Sequence, residues 1–254
     1  MSDTRTDEST QTCQDPQTCD SAASNSSSGC CQGSSAASSG CCGGAAKAQA
    51  PLPVLTSEEL EQLPTLSLIA RFRRGIENFD RRVFELDERQ IDMAFLPDAN
   101  VGQWPIRVLI GHVADADLAA IHRMRRAVAE DQPVLALWDE NAFVDANVYG
   151  NQHDGYADSA EGDRARVMQS LGGHMAVIHT LRQWTGQWLL TLSEDQLNRT
   201  AMHPERGEIT VRRILALYTW HLEHHARFLA KKLDRILGPA PSQTQPKAGG
   251  CGCR

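Results

Sequence analysis

Between residues 53 and 238 the large apolar side chains recur at intervals of three and four positions, with no strand-like alternation. That period belongs to amphipathic helices, and it restricts such a chain to helices packed along their apolar stripes. Four long stretches carry it. The first runs through Ile69, Phe72, Ile76, Phe79, Val83 and Leu86, which predicts a single helix of about five turns. The second begins at Trp104-Pro105 and continues through Leu109, His112, Val113, Ala116 and Ala120 towards Gln132-Pro133. Proline suits the first helical position, where its missing N–H would find no partner within the helix anyway. The third carries Val167, Leu171, Met175, Ile178, Leu181, Thr185 and Trp188, with Gly172-Gly173 lowering its early propensity. Ser193 to Asn198 reads as a turn with a short helical piece. The fourth has Thr210 as its N-cap, runs from Ile214 to Leu233, and stops at Gly238-Pro239. The expected fold is an all-α four-helix bundle over residues 53–238, with Gly150 to Gly162 as a polar loop. Its long connections permit a topology other than simple up-and-down.

The flanks differ in kind. Residues 1–52 are Ser, Ala, Gly, Gln and Cys with almost no large apolar side chain, so they cannot bury enough surface to offset the entropy of ordering. They read as a disordered tail, and residues 239–254 read as a second one. All eight cysteines fall in these flanks, so a disulfide-stapled domain is not expected. Cys30-Cys31, Cys41-Cys42, Cys251 and Cys253 are close thiols able to chelate soft ions such as zinc or copper(I), although their spacing matches no zinc-finger pattern. A net charge of −7 without a segregated basic face argues against nucleic acid and anionic membranes as partners. The acidic N-terminus lacks the apolar core of a signal peptide, and no apolar run reaches membrane-spanning length, so a cytoplasmic location is expected.

Histidines give the functional signal. His221 and His225 stand four apart, one turn along the same face, within the stripe Ile214, Tyr218, Leu222, Phe228 and Leu229. Two adjacent core imidazoles are costly unless something satisfies both inner nitrogens, and a divalent cation does so. His112, flanked by Leu109, Val113 and Ala116, is the candidate third ligand. Three neutral imidazoles suit zinc or nickel and leave a position for water or substrate. Asp115, one turn after His112, is a candidate for orienting an imidazole or accepting a proton. Taken singly, each histidine is more often a packed or hydrogen-bonded residue than a ligand. His224 is an alternative partner for His221, while His122, His153, His174, His179 and His203 read as solvated, and the five tryptophans as packing residues.

The run IRVLIGHVADADLAAIHRMRRAVAEDQPVLALWDENAF, followed later by HPERGEITVRRILALYTWHLEHHARFL, resembles the DinB/YfiT-like superfamily of metal-dependent hydrolases, which includes bacillithiol S-transferases. The resemblance covers the domain and neither tail. It implies a four-helix bundle that binds nickel or zinc through one histidine of the second helix and two of the last, positions that fall on His112, His221 and His225. It also implies transfer of a low-molecular-weight thiol to small electrophiles, isomerisation or hydrolysis, and pairing of bundles into homodimers. A metal-bound thiol is held as thiolate, the form that attacks electrophilic carbon. The competing expectation is a soft-metal handling protein that works through its cysteine tails.

Overall fold

A computed structural model of the chain describes residues 53–150 and 170–240. Four principal helices make the bundle: α1 (Thr65–Arg73), α2 (Ile106–Ala129), α3 (Leu171–Leu189) and α4 (Val211–Leu237). The closest packed pairs are α2 with α4, α2 with α3, α1 with α3 and α1 with α4. Helices consecutive in sequence are therefore not always neighbours: α1 lies across from α2, and α3 across from α4.

Directions follow from which halves share a core. Ile106, Leu109 and Ile110 at the start of α2 pack with Leu171 and Met175 at the start of α3, and with Leu229 and Leu233 near the end of α4. Ala120 and Met124, later in α2, join Leu189, Val211 and Ile214 in a second cluster with Leu68 and Phe72 of α1. Hence α2 and α3 run parallel, and α4 runs antiparallel to both.

A buried polar layer separates these two apolar halves. Arg182 of α3 and Asp117 of α2 are both fully buried and form a bidentate pair at 2.6 and 2.7 Å. The same guanidinium donates to the carbonyls of Phe72 (3.1 Å) and Tyr218 (2.8 Å), and it lies over the Phe72 ring. One side chain thus reaches all four helices. A second pair, Arg71 to Glu223, joins α1 to α4 at 2.6 Å.

The first stripe does not form one helix. The α-helix ends at Arg73, 3-10 turns follow at Gly75–Asn78 and Arg81–Glu85, and a short helix occupies Glu88–Ile91. Two local features override the periodicity. A Cβ at Gly75 would lie 2.5 Å from a terminal nitrogen of Arg182, so the backbone bends where the guanidinium is held against it. Asp80 then accepts from the Arg82 N–H, a side-chain bond that competes with helix continuation. Buried Arg107 of α2 pairs with Glu88 and Asp92 and ties this irregular segment back to the bundle.

A two-stranded hairpin also departs from the all-helical expectation. Strand β1 (Thr200–His203) pairs antiparallel with β2 (Gly207–Thr210). Four-residue strands are too short for alternation to show in the sequence. Gly207, at φ +73°, supplies the positive-φ position that closes the turn. Val134 bridges to Met202, so residues 133–135 lie along the hairpin edge. The other helical expectations match closely: Thr210 caps α4 by accepting from the Arg213 N–H, and Ser193 makes a capping box for Glu194–Leu197. Val167, the Gly150 to Gly162 loop beyond Gly150, His153, the Ser/Gly/Cys-rich tails and all eight cysteines lie outside the described residues. No described helix is long and apolar enough to cross a membrane.

Removing one partner of the Arg182–Asp117 pair leaves an uncompensated buried charge. Arg182→Met is expected to lower unfolding stability by about 3–5 kcal/mol in urea titrations, and Asp117→Leu in the same background to restore part of it. A loss no larger than that of a surface substitution would contradict the central role given to this pair.

Candidate metal centre

His112 sits in the first third of α2, and His221 and His225 lie one turn apart on the facing side of antiparallel α4. The Nε2 atoms of His112 and His221 approach to 3.0 Å, and those of His225 and His221 to 3.1 Å. Ligand atoms of the three residues all lie within 4.8 Å of one another. A proton cannot satisfy such a cluster, because a neutral imidazole nitrogen has either one lone pair or one N–H to offer. One cation facing three lone pairs satisfies all of them, so the donor set fits a divalent ion of borderline softness.

Electrostatics keeps the rings neutral. Burial drives the His112 pKa from 6.5 down to about 4. Burial, with His112, His224 and Lys232 nearby, takes His225 to about 3. His221 is pushed well below 6.5 by burial and then by its two histidine neighbours. Neutral imidazole is the form that ligates metal. The Nδ1 atoms of His112 and His221 have no hydrogen-bond partner among the described residues. Aromatic packing holds the rings instead: Trp138 stacks on His112 at 5.1 Å, and Trp104 lies 4.9 Å from His112 and stacks on His225 at 6.4 Å.

Not every expected site residue joins the cluster. Asp115 makes no hydrogen bond to the three rings among the described residues; burial raises its pKa, and the nearby Tyr149 hydroxyl opposes that rise. Buried Asp117 is consumed by Arg182. The carboxylate beside the rings is Glu140, whose Oε2 lies 3.8 Å from His112 Nε2 while half of the side chain remains exposed. It sits in the short helix Glu140–Asp145, which Asp139 caps, and the signal for it was the Trp138-Asp139-Glu140 run after Pro133.

His224 stays outside the cluster, stacked on Trp220 and edge-on to Phe228. Exposed His122 and His179 fit the solvated expectation. His174 and His203 do not: His174 packs edge-on to Tyr149, and buried His203 accepts from the Glu205 N–H through Nδ1. The tryptophans divide in the same way. Trp104 and Trp138 line the centre, while Trp184 and Trp188 flank the Arg125 guanidinium.

A cavity of about 530 Å³ opens onto His221, lined in part by Arg123, Trp138, Glu140, His203 and Tyr218. A smaller one of about 370 Å³ abuts His225 and Trp104.

The family model of the DinB superfamily matches residues 71–229. The chain belongs to the DinB superfamily. Among its DinB relatives, a protein of Oceanobacillus iheyensis named "Putative metal-dependent hydrolase" is 25% identical over 70% of this chain and 83% of its own length. "Putative metal-dependent hydrolase YfiT" of Bacillus subtilis is 29% identical over 54% of this chain and 67% of its own. The solved structure of Bacillus subtilis YfiT, described as "a probable metal-dependent hydrolase with an unusual four-helix bundle topology", superposes with a TM-score of 0.52 at 21% identity. It covers 75% of this chain and 94% of the YfiT chain, which shows the shared DinB fold.

Depressed histidine pKa values give a signed prediction. Below 6.5 the unfolded chain takes up protons on these histidines that the metal-free fold refuses. Stability of the metal-free protein should therefore fall as pH drops below about 6.5, with the His112 share complete near pH 4 and the His225 share near pH 3. Urea midpoints across that range check it, and His112→Leu should flatten part of the slope.

Proposed function

We propose that this chain is a metal-dependent enzyme that transfers a low-molecular-weight thiol to small electrophiles, with His112, His221 and His225 holding one zinc or nickel ion. What supports the reading is the mutual approach of three neutral Nε2 atoms at the edge of a cavity large enough for small reactants. The ion supplies Lewis acidity, favouring the anion of a thiol or water brought against it.

The chain's own side chains supply the rest. Trp104 and Trp138 pack against His112 and keep bulk water from the ring, which strengthens local electrostatics. Glu140 Oε2, the nearest carboxylate oxygen, is placed to take the thiol proton as sulfur bonds to the electrophilic carbon and the leaving group departs. Tyr218 and Arg123 form the cavity wall beside His221, joined by a 2.6 Å hydrogen bond from the guanidinium to the phenol oxygen.

A second reading, hydrolysis of an ester or amide by water in the same position, is favoured by the relatives' names. It needs the same three histidines and Glu140, and differs only in requiring no added thiol.

The discriminating experiment is elemental analysis of the purified full-length protein, then turnover of a chromogenic electrophile with and without a panel of small thiols. About one metal ion per chain and strictly thiol-dependent turnover are expected. His225→Ala should lose the metal and at least about 100-fold in rate, whereas serine at Cys30, Cys31, Cys41, Cys42, Cys251 and Cys253 should retain both. Turnover without thiol would select hydrolysis. Loss of metal only in the serine variant would move the function to the tails.

A further inference from the structure

The 530 Å³ cavity is lined by charges of both signs. At the rings stands Glu140; elsewhere on the wall stand Arg123, Arg206, His203 and Tyr218. Asp139 and Glu205 complete its charged lining.

Arg123 is the unusual member. It is partly buried, and its guanidinium is held in place from the protein side, one terminal nitrogen donating to the Tyr218 hydroxyl at 2.6 Å and the other to the Ala136 carbonyl at 2.8 Å. Both acceptors are neutral. No carboxylate pairs with it among the described residues; Arg73 and Arg212 likewise bond only to neutral acceptors, but of these three Arg123 is the one that lines the cavity. A guanidinium carries five N–H donors, so Arg123 keeps spare donors and an uncompensated charge at the cavity wall.

His203 points to the same conclusion independently. Its Nδ1 is occupied as an acceptor from the Glu205 N–H, so the neutral ring carries its proton on Nε2, a further donor with no partner among the described residues. Burial, and then the charges of Arg123 and Arg206, lower the pKa of this ring, against Glu205, which raises it. Arg123 and His203 therefore bring donors that no described side chain takes up, although Asp139, Glu140 and Glu205 line the same cavity, and a substrate can supply the acceptor.

We propose that Arg123, assisted by His203 and Arg206, forms a subsite for a carboxylate on the substrate, so that this enzyme acts on small carboxylic acids whose reacting atom then lies towards His221. The planar fork of an arginine matches the two oxygens of a carboxylate. Three acidic side chains on the same lining, Asp139, Glu140 and Glu205, disfavour a doubly charged phosphate more than a singly charged carboxylate. Trp138, Leu217 and Trp220 give the remainder of the molecule an apolar seat. The inference rests on the cavity being the substrate site of the transfer reading above.

Binding without turnover tests it separately from that reading. Phenylacetate and its neutral counterpart phenylacetamide are titrated calorimetrically into the full-length, metal-loaded protein. Phenylacetate is expected to bind at least about tenfold more tightly, and Arg123→Met to abolish that preference while leaving the metal content and the weak phenylacetamide affinity unchanged. Equal affinities in the wild type would overturn the subsite. So would a preference that survives in Arg123→Met, since the carboxylate would then be held at the ion. If Arg123→Met does not fold, Arg123→Lys replaces it: a weakened preference supports the subsite and an unchanged one overturns it. Failure to conjugate thiols would leave this result standing, and failure here would leave the transfer reading standing.

Discussion

One guanidinium sets the geometry of the whole bundle. Arg182 pairs with Asp117 on α2 and binds carbonyls of Phe72 and Tyr218, at the levels of α1 and α4 that face the polar layer. Burying such a pair offers little net stability over a well-packed apolar substitute, because desolvation offsets most of the Coulomb gain. Its value is in register. Tyr218 lies one turn before His221, and Asp117 little more than one turn after His112, so the bonds that fix those two positions also fix the histidines. A slip of one helical turn, about 5.4 Å, would leave the charge unpaired and separate the rings.

The centre itself is held together by different forces. Three mutually close imidazoles, two of them with Nδ1 atoms unpartnered among the described residues, are not a stabilising arrangement, and hydrogen bonds between described residues do little to orient the rings. Stacking by Trp104 and Trp138 does that work, and neither tryptophan belongs to a principal helix. Lys232 anchors the loop before Trp104 by donating to the Gly102 carbonyl at 2.7 Å. The stable bundle thus carries a site that costs folding energy, with the compensating apolar clusters above and below it.

Much of this was readable from periodicity. α2, α3 and α4, the caps at Thr210 and Ser193, and the meeting of His112 with His221 and His225 all follow from stripes and capping residues that act locally. The buried Arg182–Asp117 pair was legible in the same pattern. Asp117 stands four after Val113 and three before Ala120, on the core stripe, and Arg182 stands between Ile178 and Thr185 on its own. A charge at a core position on each of two helices was the mark of a buried pair. The break in the first stripe was less legible, because it depends on Arg182 lying against Gly75 from more than 100 residues away. The hairpin was hidden by its length.

The elements that periodicity missed are the ones that differentiate the site. Helices deliver the three imidazoles, a solution that any bundle of this register can present. The segment along the hairpin edge delivers Trp138 and Glu140, and the hairpin delivers His203 and Arg206. α2 secures that segment through two side chains, Arg126 to the Val134 carbonyl and Arg123 to the Ala136 carbonyl. The second of these bonds also aims the guanidinium at the cavity. A change in the length of the segment would therefore move Trp138 and Glu140 while leaving Arg123 on α2 and the three histidines in place. In the proposed function, binding of the ion and choice of reactant fall to separable parts of the chain.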